Sequence, residues 1–205
     1  GRWFYCTPAA RPFGMVAAHA FTRNKNQGGG GYNYNFNEVL GFSQVNEWMV
    51  SGPNIMPVSG GVNPIQGMDG WKSEFKHESE IIQPGYHRLF LDRYKTWVEY
   101  TATDRVTFYR LNYTSDKNAK LLVDICSVLG NCSMDKGALL RISDKRIVGE
   151  FMTTERFWGG PDSLKLCFVL DCSVPIKKID GWSEKGINPD VEAISGNNAG
   201  MVLYP

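Results

Sequence analysis

Between residues 86 and 171 apolar and polar side chains alternate in short runs broken by turn residues. Seven runs predict strands: Tyr86–Leu91, Trp97–Thr103, Arg105–Leu111, Ala119–Ile125, Ala138–Ile142, Arg146–Thr153 and Leu164–Asp171. Pro84-Gly85, Ser115-Asp116-Lys117, Ser143-Asp144-Lys145 and Gly159-Gly160-Pro161 separate them, as residues that set turn dihedrals do. In Trp97–Thr103, Val98, Tyr100 and Ala102 share one face, and Glu99, Thr101 and Thr103 the other. That two-residue period is the mark of a half-buried strand. Arg105–Leu111 carries Val106 and Phe108 on one face and Tyr109 and Leu111 on the other. Apolar groups on both faces predict a central strand between two layers. Asp104 between these two runs fits a tight hairpin. Residues 1–83 hold few long periodic segments and much Gly, Asn and Pro, and Met201–Tyr204 reads as a strand stopped by Pro205. No connection carries a long amphipathic pattern, which argues against parallel βαβ units. The fold class expected is all-β: a sandwich or barrel of short antiparallel strands.

Composition narrows this further. The 205 residues suit one domain with a core of its own, needing neither metal nor disulfide to fold. Twenty-two basic and 21 acidic residues leave a net charge of +1. Broad electrostatic attraction to nucleic acid or to an anionic membrane is therefore excluded as the main activity. No apolar run approaches bilayer-spanning length. With 22 Gly and 10 Pro beside 26 aromatics, turns and long loops are expected. The chain opens on Gly1-Arg2-Trp3 and closes abruptly on Tyr204-Pro205, so residues 1–205 are expected to be a single domain cut from a longer protein.

Candidate chemistry is sparse. The five cysteines match no metal or redox spacing. Cys126 and Cys167 lie in strand-like runs and read as small core residues, while a Cys126–Cys132 bridge suits an exported protein. His19, His77 and His87 show no zinc-ligand spacing. His77, in Phe75-Lys76-His77-Glu78-Ser79-Glu80, either meets substrate or is solvated. Ser43 lies outside any nucleophile elbow, and spacing singles out no pair of carboxylates for glycosidase work. Gly28–Gly31 lacks the Lys-Ser/Thr of a phosphate loop and reads as a flexible loop. Tyr32, Tyr34, Phe42, Gln44, Asn46, Glu47 and Trp48 combine aromatics with amides and a carboxylate. Such a set stacks on pyranose faces and bonds hydroxyls; the same aromatics also suit the edge of a core.

Five stretches carry a resemblance. Arg11-Pro12-Phe13-Gly14-Met15-Val16, Gly31-Tyr32-Asn33-Tyr34, Gly41-Phe42-Ser43, the run from Phe75 to Tyr86 and the run from Val98 to Arg110 resemble, in order and spacing, the opening motifs of glycoside hydrolase family 92. The resemblance spans roughly residues 2–180. It implies the N-terminal antiparallel β-sandwich (a galactose-mutarotase-like supersandwich) of a calcium-dependent, inverting exo-α-mannosidase. In that family a helical domain supplies the general acid, the general base and the calcium ligands, and the sandwich supplies walls and sugar contacts. The chain is thus expected to hold no catalytic residue and no metal site, to be inactive alone, and to partner a helical catalytic domain and a mannose-containing glycan. A secreted or periplasmic location is implied. Phe13, Tyr32, Gln44, Asn46, Glu47 and Trp48 are the expected sugar-contact residues, with Tyr32, Trp48 and Met49 exposed where the helical domain would sit. Where the family shows His-Thr-His after Gly-Phe-Ser, this chain has Gln44-Val45-Asn46. The alternative is a carbohydrate-binding or structural sandwich without hydrolysis.

Overall fold

A computed structural model describes residues 9–11, 14–22, 31–47, 50–115, 118–125, 128–129, 132–154 and 163–205; of residues 46, 47, 50, 51, 128–129, 132–133 and 154 it describes the backbone alone. In chain order the strands begin with β1 (Ala9–Ala10), β2 (Ala17–Thr22), β3 (Glu38–Glu47) and β4 (Val50–Ser59). One helical turn, α1 (Met68–Trp71), and two 3₁₀ turns, Pro64–Gln66 and His77–Ser79, surround β5 (Ser73–Glu74). Then follow β6 (Ile81–Gln83), β7 (Tyr86–Leu91), β8 (Thr96–Ala102), β9 (Thr107–Tyr113), β10 (Ala119–Asp124), β11 (Val128–Leu129), β12 (Cys132–Ser143) and β13 (Arg146–Thr154). The last are β14 (Ser163–Asp171), β15 (Lys178–Ser183), β16 (Gly186–Asn188), β17 (Ala193–Gly196) and β18 (Gly200–Tyr204).

These strands build three antiparallel sheets. The largest runs β1-β2-β3-β4-β10-β18-β15-β16, with β5 joined to β3. A second runs β6-β7-β8-β9, and a third β11-β12-β13-β14 with β17 on β12. The large sheet is one layer of a β-sandwich. The two smaller sheets form the other: β8 packs on β2 and β4, and β12 and β13 pack on β4. An open groove of about 900 Å³ is lined from both layers, by Gln44 and Val45 of β3, Pro53 of β4, Tyr109 of β9, and Phe168 and Leu170 of β14, among others.

Alternation sets which side chains enter the core. In β7, His87, Leu89 and Leu91 are buried, and in β8, Thr96, Val98, Tyr100 and Ala102. Pairing matches His87 with Tyr100 and Leu89 with Val98, so the two inward rows meet side by side on one face. Between β2 and β3 the register shifts after Phe21. The carbonyl of Leu40, at that irregularity, accepts the indole N–H of buried Trp71 at 2.8 Å. Tyr94 donates its hydroxyl to the Trp71 carbonyl at 2.7 Å, which ties α1 to the β7–β8 turn.

Three expectations are corrected. β9 is not central: it is the edge of its sheet, with Phe108 56% exposed, because its outward face meets no second layer. Cys167 is exposed on the edge strand β14 rather than a small core residue. Residues 1–83, read as poor in periodic segments, supply the ten-residue strands β3 and β4. Cys6, Cys126 and the side chain of Cys132 lie outside the described residues, as do Trp48 and Met49.

Candidate functional site

Two histidines that the sequence places on different elements meet on one carboxylate. The 3₁₀ turn His77–Ser79 ends at Glu80, and in that tight helix residues three apart lie nearly eclipsed. His77 Nδ1 therefore reaches Glu80 Oε2 at 2.7 Å. On β7, His87 points inward and sets Nε2 2.6 Å from Glu80 Oε1. Tyr32 donates its hydroxyl to Oε2 at 2.8 Å. A carboxylate only accepts, so all three neighbours donate. The far nitrogen of His87, Nδ1, then accepts from Tyr100, whose hydroxyl lies 2.5 Å away. Tyr100 in turn accepts the backbone N–H of Ala20 on β2 at 2.8 Å. The relay thus sews the four-stranded sheet to the large one. Its rings also pack: Tyr32 stands edge-on to His87 at 5.4 Å, and Phe42 edge-on to Tyr100 at 5.7 Å.

The electrostatics follow from this geometry. Burial pushes the Glu80 carboxyl up, but the bonds from His87, His77 and Tyr32 outweigh it and hold the group below its ordinary value. Burial, then the Glu80 partner, push the Tyr32 hydroxyl up. Burial also raises Tyr100. His19 is wholly buried on β2. Burial lowers its pKa to about 4 against the raising effect of its bond to the Ala17 carbonyl, with His87 adding to the fall. Glu80 is therefore an ionised carboxylate with both oxygens engaged by donors. It is neither a proton donor for a leaving group nor a free general base. Among the described residues no group of three or more His, Cys, Asp or Glu side chains is placed to hold a metal ion, and calcium does not fit here: the Glu80 oxygens already face N–H and O–H protons.

The expected contact residues divide. Tyr32 is in this network, but only 2% exposed. That corrects its expected exposure, since its hydroxyl is drawn inward to Glu80. Gln44 sits half-buried on β3, donates to the Phe42 carbonyl at 3.0 Å and lines the groove. Asn46 and Glu47 belong to the backbone of β3, paired with Ser51 and Val50; their side chains, and Phe13 and Trp48, lie outside the described residues. Tyr32 and Gln44 are linked through a ring row, since Tyr100 packs against Tyr109 at 5.4 Å and Tyr109 lines the groove with Gln44. Spacing rules passed over His19, Glu80 and His87 because they look for ligands close in sequence. The signal that was present is strand parity, which puts His87 on the same face as Leu89 and Leu91.

The sequence model described as "Glycosyl hydrolase family 92 N-terminal domain" matches residues 1–204. No curated protein matches the chain in sequence. Among solved structures, the family GH92 alpha-mannosidase BT3965 from Bacteroides thetaiotaomicron superimposes with a TM-score of 0.81 at 21% identity, covering 99% of this chain and 30% of its own. The GH92 family glycosyl hydrolase ccman5 gives 0.78 at 19% identity, covering 97% and 28%. The inverting mannosidase BT2199 from Bacteroides thetaiotaomicron VPI-5482 gives 0.77 at 18%, covering 97% and 26%. The chain thus spans under a third of the length of these structures, and at such identities they show the fold.

Proposed function

The chain belongs to glycosyl hydrolase family 92, whose N-terminal domain it forms, and from that premise we propose that it is the non-catalytic half of an exo-α-mannosidase-type active site. It supplies pocket walls and sugar contacts to a mannose-containing glycan. The general acid, the general base and a bound calcium come from a helical domain of the same protein. The observation that carries this reading is coverage: nearly the whole chain superimposes on under a third of an α-mannosidase. One superimposed structure holds mannoimidazole, which supports a mannose-type ligand. Inverting hydrolysis needs two carboxyl groups held about 6.5–9.5 Å apart across the scissile bond. Here the buried Glu80 carboxylate has both oxygens engaged by His87, His77 and Tyr32. The test is hydrolysis of α-linked mannobioses by the full-length protein, followed by NMR of the released sugar. Inverted product and loss of turnover on chelation are expected; turnover that is insensitive to chelator, or retained configuration, contradicts the proposal.

Gln44-Val45-Asn46 in place of His-Thr-His favours a second reading, a glycan-binding sandwich without hydrolysis. A full-length protein that binds mannobiose and never cleaves it would select that reading.

A further inference from the structure

The Glu80 network has one end in solvent. Glu80 shows 3% of its side chain and His77 22%. Because the carboxylate accepts from Nδ1, the neutral His77 ring carries its proton there and leaves Nε2, across the ring, as a bare acceptor. Among the described residues none donates to that nitrogen. Tyr34 stacks on the same ring, 4.1 Å between centroids and 27° between planes, and Phe75 meets it edge-on at 4.9 Å. Tyr34 itself is 61% exposed, so its outer face is open. The segment that carries it is fixed from both sides: Thr22 Oγ1 accepts the Asn33 N–H at 2.7 Å, and Asn33 Oδ1 accepts the Asn35 N–H at 3.0 Å. Lys76 and Glu78 are exposed alongside with opposite charges, and the Glu80 carboxylate beneath is held by its three donors.

An open aromatic face beside a bare, oriented acceptor suits a neutral polyol. Tyr34 stands between its own open face and the imidazole, so one sugar ring cannot use both, whereas two linked rings can. We propose that Tyr34 and His77 form a disaccharide-binding lip, with one pyranose stacked on the outer face of Tyr34 and the next donating a hydroxyl to His77 Nε2. The sugar class rests on the mannoside reading above; the lip itself rests on this geometry. Its residues are distinct from the wall expected along Gln44–Trp48.

The test is NMR on the isotope-labelled chain, titrated with α-1,2-, α-1,3- and α-1,6-mannobiose and with cellobiose. At least one mannobiose should shift the Tyr34 ring protons and the His77 Nε2 nitrogen together and saturably. Tyr34→Ala should weaken that binding about tenfold, as the loss of one stacking contact does, with the urea midpoint unchanged because the ring is exposed. His77→Gln should remove the Nε2 response while Tyr34 still shifts. If cellobiose alone moves both residues, the lip stands and the mannoside reading falls. If mannobiose moves only Gln44 and Tyr109, the lip falls and the mannoside reading stands. No saturable change at Tyr34 or His77 with any of these sugars overturns the lip.

Discussion

Single side chains here are tuned by what encloses them, and acid should undo that tuning in a defined order. His19 titrates near 4 in the folded chain against an ordinary 6.5, mainly through burial. The unfolded chain therefore takes up this proton first, and stability falls as pH drops from about 6.5 to 4, by about 3 kcal/mol from this residue. Glu80, held below its ordinary value against burial by His87, His77 and Tyr32, contributes stability that is present above the unfolded carboxyl value and lost as pH falls through the folded one. Urea unfolding at pH 7, 5.5 and 4.5 should show a steadily falling midpoint, and a flat profile would contradict the assignment. Glu80→Gln should cost about 2–4 kcal/mol at pH 7, since its amide nitrogen faces donors and leaves them unpaired. The same measurement checks it: an unchanged midpoint would show that the three bonds contribute nothing. Little of this was legible in the sequence. Parity puts Tyr100 on one face with Val98, but Glu80, inside a charged run, carries the pattern of a solvated turn. Only the packing of the His77–Ser79 turn against β7, set by tertiary structure, turns it inward.

At the scale of elements, alternation was a good guide where turns were polar and strands free of proline. β7, β8, β13 and β14 lie within a residue or two of the expected runs. β4 escaped because Gly52, Pro53 and Pro57 interrupt it, and proline removes a ladder donor. The structure accommodates this locally: β3 pairs with β4 at Asn54 and Gly52 but not at Pro53 between them. β9 misled because its two apolar faces suggested cover that its edge position lacks. The β3 strand also shows why one glycine is needed. Gly41 has φ +146°, and a Cβ there would lie 2.0 Å from Asn54 Oδ1, inside the side chain that packs across it from β4. Gly41→Ala should combine backbone strain with overpacking, at about 2–5 kcal/mol. A chemical-denaturation midpoint equal to that of the unmutated chain would show that the β3–β4 seam yields more easily than its geometry indicates.

Across the whole molecule, one large sheet carries two smaller ones, and the His–Glu–Tyr relay and the groove both lie between those layers. The family was legible from five short stretches in order, because turn glycines, inward aromatics and the Phe75–Tyr86 run are what the sandwich needs locally. Of the expected sugar-wall residues with described side chains, Tyr32 serves the buried relay and Gln44 the groove. Which side chains face a ligand depends on how sheets pair, and residue spacing within one strand does not encode that. On the proposal above, this sandwich holds half a site. The most direct measurement is release of mannose from an aryl α-mannoside by the purified 205-residue chain, with calcium and with chelator, beside a glycosidase-free mock preparation. No turnover above the mock is expected in either condition, with the chain folded by circular dichroism; turnover that tracks the chain through purification would contradict a half site.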